Sequence, residues 1–145
     1  MTSIQLVQTY NFHDCDIVLP FAAESNTATV TFLLATHLQY DDIKKRYGNF
    51  AVTHDSYLML TLCLTSNAPI TVCNRAYTGK RSTGEVFPLD PEAIDPEMDF
   101  LSLHVSAQGD ILLQFDGSDE SIKEICFSSP TIKIVEERLA SRAEL

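Results

Sequence analysis

Apolar and polar residues alternate with a period of two along most of this chain. In "TATVTFLL" (27–34), Ala28, Val30, Phe32 and Leu34 fall on one side and Thr27, Thr29 and Thr31 on the other. A period of two predicts a half-buried antiparallel strand. "YLMLTLCLT" (57–65) repeats the pattern, with Leu58, Leu60, Leu62 and Leu64 facing Met59, Thr61 and Cys63 across the strand. "PITVCNRAY" (69–77) follows after "SNA", and the two segments together predict a hairpin.

A second alternating block begins at "FLSLHVSAQGDILLQF" (100–115). Leu101, Leu103 and Val105 alternate with Ser102, His104 and Ser106, and Gln108-Gly109-Asp110 supplies turn chemistry, with Gly able to take positive φ. Ile111, Leu113 and Phe115 resume the alternation, "DGSDE" (116–120) ends it, and "SIKEICF" (121–127) starts again. "TIKIV" (131–135) predicts a last strand, after which residues 136–145 read as a short helix or a frayed tail. At the other end, "IQLVQTYNFHDCDIVLPF" (4–21) reads as two strands or one bent strand closed by Pro20.

The internal helix candidate is "YDDIKKRYG" (40–48), with a basic loop as the alternative for so short a segment. Asp41 and Asp42 would sit in its first turn, Lys44 to Arg46 in its last, and Gly48 at its C-cap. Residues 74–99 form the longest stretch without periodicity, and a loop of that length is usually functional or mobile. The pattern as a whole predicts a single domain over 1–145, mainly β. Its architecture would be a curled antiparallel sheet or sandwich of about eight short strands with one or two short helices.

Charge changes the picture more than composition does. The chain carries 20 acids against 10 bases, a net charge of -10. That balance argues against nucleic acid, whose phosphates need Lys and Arg, and against an anionic membrane surface. It suits a cationic protein partner drawn in by long-range attraction. The ten acids from Glu85 to Glu120 run without one Lys or Arg. "PLDPEAIDPEMDF" (88–100) concentrates Asp90, Glu92, Asp95, Glu97 and Asp99, and Asp116, Asp119 and Glu120 follow. These eight residues are the candidate partner-binding face. The prolines of 88–100 restrict φ and reduce the entropy lost on docking, while Phe87, Leu89, Ile94, Met98 and Phe100 offer anchors to the chain's own core or to a partner.

Catalytic and metal chemistry find little support. "NFHDCD" (11–16) sets His13, Asp14, Cys15 and Asp16 together, but a zinc site needs three or four ligands. The others would have to come from His37, His54, His104 or Cys73, far away in the chain. A turn stabilised by Asp14 is the simpler reading. As a nucleophile Cys15 is poorly placed, because two flanking aspartates disfavour a thiolate. Neither 88–99 nor "DGSDES" (116–121) has calcium-loop spacing, and no GxSxG, HExxH or phosphate-cradling Gly-rich loop occurs. No catalytic residue, metal or cofactor is therefore assigned. Cys15, Cys63, Cys73 and Cys126 are scattered without a CxxC pair and read as reduced core thiols. With "MTSIQLVQTY" lacking a secretory signature, the expected compartment is the cytoplasm.

Two blocks, "FHDCDIVLPFAAESNTATVTFLL" (12–34) and "GDILLQFDGSDESIKEICFSSPTIKI" (109–134), carry a family likeness. Their Phe-His-Asp core followed by an alternating strand, and their closing Gly-Asp turn with short strands, resemble the small β-rich immunity proteins encoded beside bacterial polymorphic toxins. In that group a Phe-His-Asp-Ser-type motif often precedes the first hairpin; Cys15 here stands where Ser is common, and 40–100 has no counterpart. The resemblance implies a non-enzymatic bacterial protein that neutralises a cognate toxin. With the charge, it points to a basic toxin acting on nucleic acid or nucleotides. The alternatives are a small β adaptor or oligomer subunit, and a metal- or Cys-dependent enzyme built on His13-Asp14-Cys15.

Overall fold

A computed structural model describes residues 1–48, 56–76, 86–90, 94, 96–116 and 121–141. In chain order these form α1 (Ser3–Thr9), β1 (Asp16–Ile17), β2 (Ala22–Ala23), β3 (Thr27–Ala35), a 3-10 turn (Thr36–Leu38) and α2 (Asp41–Tyr47). There follow β4 (Ser56–Thr65), β5 (Thr71–Ala76), β6 (Val86–Pro88), β7 (Asp99–Val105), β8 (Ile111–Asp116), β9 (Ser121–Phe127) and β10 (Thr131–Ser141). The strands make two antiparallel sheets. One runs β1-β3-β4-β10 with β2 also on β3, and the other β6-β5-β9-β8-β7. The protein is thus mainly β, a sandwich with ten strands among the described residues rather than about eight, of which β1, β2 and β6 are very short.

The alternation fills the space between the sheets as the pattern requires. Ala28, Val30, Phe32 and Leu34 of β3 and Leu58 to Leu64 of β4 are buried at every second position. Ile111, Leu113 and Phe115 of β8 and Ile125 and Phe127 of β9 face them. Phe32 and Phe100 meet edge-on across the core at 6.3 Å, Phe100 continues to Phe115 at 5.5 Å, and Phe12 closes on Phe32 at 5.2 Å. Edge-to-face contacts of this kind add to the area buried by each ring. On the outer face of the first sheet, the Thr31 and Thr61 hydroxyls share a hydrogen bond of 2.8 Å between register partners.

Four expectations are corrected. Residues 3–9 are helical, because Thr2 and Gln5 form a capping box and Ser3, Leu6 and Tyr10 recur at helical spacing on the buried side. The segments 57–65 and 69–77 do not form a hairpin. Ser66 to Ile70 instead carries the chain from one sheet to the other, its backbone tied to Ser25, Asn26 and Ser128. Residues 136–141 are not a helix or a frayed tail. They continue β10, in register with β4 from Thr131–Thr65 to Ser141–Ser56. A ladder of that length overrides the helix propensity of "EERLA". Finally, a bulge between Phe100 and Ser102 shifts the phase at the start of β7 only, so Leu103 and Val105 face the core as expected but Leu101 does not. Phe100 packs on the core while Leu101 is 47% exposed.

Other expectations hold in whole or in part. α2 has Asp41 and Asp42 in its first turn, Lys44 to Arg46 in its last and Gly48 at its C-cap with φ +67°. β7 and β8 form a hairpin through Gly109, at φ +82°. The segment 74–99, expected to be irregular, is strand in part: β5 extends to Ala76, Val86–Pro88 pair with it as β6, and β7 begins at Asp99. All four cysteines are free, half-buried thiols; Cys15 packs against the core, whereas Cys63, Cys73 and Cys126 sit on the outward positions of their strands and not in the core. No helix among the described residues is long and apolar enough to cross a membrane.

α1 covers the side of the sandwich where the edge strands β10 and β7 lie, touching both. Ser3 Oγ donates to the Gly109 carbonyl at 2.5 Å, and Met1 exchanges backbone hydrogen bonds with Ile132. Beneath it, Glu137 of β10 accepts from three donors on two helices and their flanks. These are Tyr10 Oη at 2.5 Å, Tyr47 Oη, and Arg46 Nη1 at 2.9 Å. This network fixes α1 and α2 to the edge of the first sheet.

Candidate partner-binding surface

The apolar positions of 88–100 are anchors to the chain's own core. Ile94 is buried, and Leu89, Met98 and Phe100 pack against the same cluster, while Leu89 N–H donates to the Ile70 carbonyl at 2.9 Å. Phe87, by contrast, is exposed on β6. With the apolar side chains held inward, Asp90, Glu97 and Asp99 stand exposed and Asp116 is half-buried. Glu92, Asp95, Asp119 and Glu120 lie outside the described residues.

The fold brings some of these acids together and separates others. Asp99 and Asp116 are register partners on β7 and β8. Glu97 is two residues before Asp99 in the chain. Asp90 follows β6 at the opposite edge of the sheet, four interstrand spacings or roughly 19 Å from β7. Pro88 pairs with Thr71 whereas Asp116 pairs with Ile122, so Asp90 also belongs to the opposite end. The candidates among the described residues therefore do not form one strip: Asp99 and Asp116 make one corner, and Asp90 marks another. Directly opposed like charges destabilise a strand pair. Neither Asp99 nor Asp116 has a basic partner among the described residues.

Behind that corner the outer face of the second sheet carries a polar ladder that periodicity alone does not reveal. Ser102 Oγ donates to Gln114 Oε1 at 3.0 Å, and Gln114 Nε2 donates to Glu124 Oε2 at 3.0 Å. Glu124 is only 6% exposed. The alternation marks these positions as outward; only the β7-β8-β9 register makes them neighbours.

The His13-Asp14-Cys15 cluster is a turn and not a strand, with Asp14 at φ +53°. The side chain that stabilises it is Asn11 rather than Asp14: Asn11 Oδ1 accepts from His13 N–H at 2.9 Å. Asn11 is itself held by the buried Gln39, whose amide exchanges two hydrogen bonds with the Asn11 backbone and donates to the Ala35 carbonyl. Asn11 Nδ2 in turn donates to the Leu38 carbonyl at 3.0 Å. His13 Nε2 and Asp14 Oδ2 lie 3.4 Å apart, both largely exposed. Burial, followed by the charges of Asp16 and Asp14, pushes the Cys15 thiol up to about 12, which disfavours the nucleophilic thiolate at neutral pH. His37 is in the 3-10 turn and His104 on β7, while His54 lies outside the described residues. Among the described residues no group of three or more His, Cys, Asp or Glu side chains could hold a metal ion.

A cleft of about 520 Å³ opens beside this turn, between the end of α1, Tyr40 and the edge strand β7. Phe12, His13, Asp14, Tyr40 and Leu101 line it. Comparison of the chain with protein-family models, with curated proteins and with solved structures finds no match.

Proposed function

We propose that this chain is a non-enzymatic inhibitor of the immunity-protein type, which neutralises a cognate basic toxin acting on nucleic acid or nucleotides by covering it with an acidic surface. The observation that carries the reading is the Asp99–Asp116 pair. Two carboxylates stand opposite each other at a sheet corner, without a cation among the described residues, in a chain of net charge -10. Such a pair weakens the fold that holds it, and a cationic partner removes that cost on binding. The bacterial origin and the toxin partner rest on the resemblance of residues 12–34 and 109–134.

The test begins with co-expression of the chain and the gene product encoded beside it, followed by purification and growth rescue. An equimolar complex that restores growth supports neutralisation. Asp99→Asn and Asp116→Asn then separate binding from folding. Each should raise stability by about 0.2–1 kcal/mol in urea unfolding, through relief of repulsion, while slowing association and flattening its salt dependence. Variants that associate as fast as the parent at low salt remove the acidic corner from the interface.

A second reading, a small β adaptor or self-associating subunit, is favoured by β10. Ile134 and Val135 are exposed on this edge strand, around the bulge. A doubled mass in sedimentation of the isolated chain, with no complex in co-expression, would support it.

A further inference from the structure

The cleft beside β7 is built with more care than a surface dent requires. Its residues come from three separated parts of the chain: the end of α1 with the 11–14 turn, Tyr40 before α2, and β7 from Leu101 at its bulge. Buried Gln39 joins two of these parts, since it clamps Asn11 and directly precedes Tyr40. Tyr40 is 45% exposed, yet its hydroxyl donates to the Val7 carbonyl at 3.4 Å, which orients the ring. The bulge turns Leu101 outward when simple alternation would have buried it. Asp14, in its left-handed conformation, brings a carboxylate to the rim beside the exposed His13 ring, and among the described residues no Lys or Arg lines the cleft.

An oriented exposed aromatic ring, an apolar floor and a carboxylate match one side chain in particular. We infer that the cleft takes an arginine of a short basic peptide segment. The guanidinium pairs with Asp14 and stacks on Tyr40, while its aliphatic stem lies on Leu101 and Phe12. Carboxylates bind guanidinium in a two-pronged geometry that ammonium cannot reproduce, and aromatic faces attract it. The volume exceeds that of one side chain and lies in the range of sites for ligands of a few residues. Leu101 is two residues from Asp99 on β7, so the cleft lies on the same edge strand as the acidic corner. The inference rests on the partner-binding reading only for which protein carries the arginine.

The experiment uses the full chain, ¹⁵N-labelled, titrated with acetyl-Gly-Arg-Gly-amide and, separately, with its citrulline and lysine counterparts. The arginine peptide should give saturable amide shifts at His13, Asp14, Tyr40 and Leu101. Citrulline keeps the shape and removes the charge, so its peptide should bind at least about tenfold more weakly, as should the arginine peptide with Asp14→Asn or Tyr40→Leu. Both positions are exposed, and retained spectral dispersion verifies the fold of each variant. Absent saturation, equal binding of the citrulline or lysine peptide, or parental affinity in Asp14→Asn overturns the inference. Peptide binding without a toxin complex would uphold the cleft and reject the immunity reading. A toxin complex indifferent to Asp14→Asn, with no peptide binding, would do the reverse.

Discussion

Replacing Glu137 by Ala removes the acceptor shared by Tyr10, Tyr47 and Arg46. The side chain is 12% exposed, whereas that of Arg46 is 51% exposed, so the three bonds differ in weight. Tyr10 is almost fully buried, and its orphaned hydroxyl costs about 1–3 kcal/mol. The half-buried Tyr47 loses a charge-assisted bond of about 1.5–3 kcal/mol. The solvated Arg46 pair contributes no more than about 1 kcal/mol. We expect Glu137→Ala to destabilise the protein by roughly 3–5 kcal/mol, a large share of a typical domain's stability. In urea this lowers the midpoint by about 2 M for a slope of about 2 kcal/mol/M. The mechanism is read from a double-mutant cycle followed by circular dichroism. Tyr10→Phe should cost about 1 kcal/mol in the parent and nothing, or less than nothing, beside Glu137→Ala, where it deletes a stranded hydroxyl. A Glu137→Ala loss below about 1 kcal/mol, or an equal cost of Tyr10→Phe in both backgrounds, would refute a network that pins the helices.

Two further outcomes follow from the same structure. Burial first, then the Glu137 carboxylate, pushes Tyr10 and Tyr47 up to about 12, and burial does the same to Cys15. Each group holds its proton more tightly folded than unfolded, so the stability these three groups contribute is fully present below about pH 9 and is lost from there to about pH 12, lowering urea midpoints over that window. Midpoints that rise over that window would contradict it. Gly109→Ala should cost about 1 kcal/mol through its left-handed backbone alone, since no atom lies within 4 Å of the added methyl. A variant with an unchanged or raised melting temperature would show that the turn does not require this φ.

What the sequence by itself determined is the face each strand buries. Alternation in 27–34, 57–65 and 111–115 is a local property of the pleat, and burial follows it residue by residue. The short helix at 41–47 was legible for a similar reason, its charges matching a dipole set by its own backbone. At the N-terminus the capping box of Thr2 and Gln5 and the spacing of Ser3, Leu6 and Tyr10 were present in the sequence, but the apolar run "IQLV" suggested a strand.

Only the tertiary structure decided which strands pair. Periodicity carries no partner address: β5 and β4 are neighbours in sequence yet belong to different sheets, and β10 pairs with a strand some 70 residues earlier, as is common where chains cross between layers. The same holds for the surface. Nothing local says that Asp99 will face Asp116 and not Asp90, that Glu137 will gather two tyrosines, or that a bulge will turn Leu101 out toward Tyr40 and Asp14. Those juxtapositions arise from register and from side chains meeting across long sequence separations, and a pattern read along one chain does not contain them.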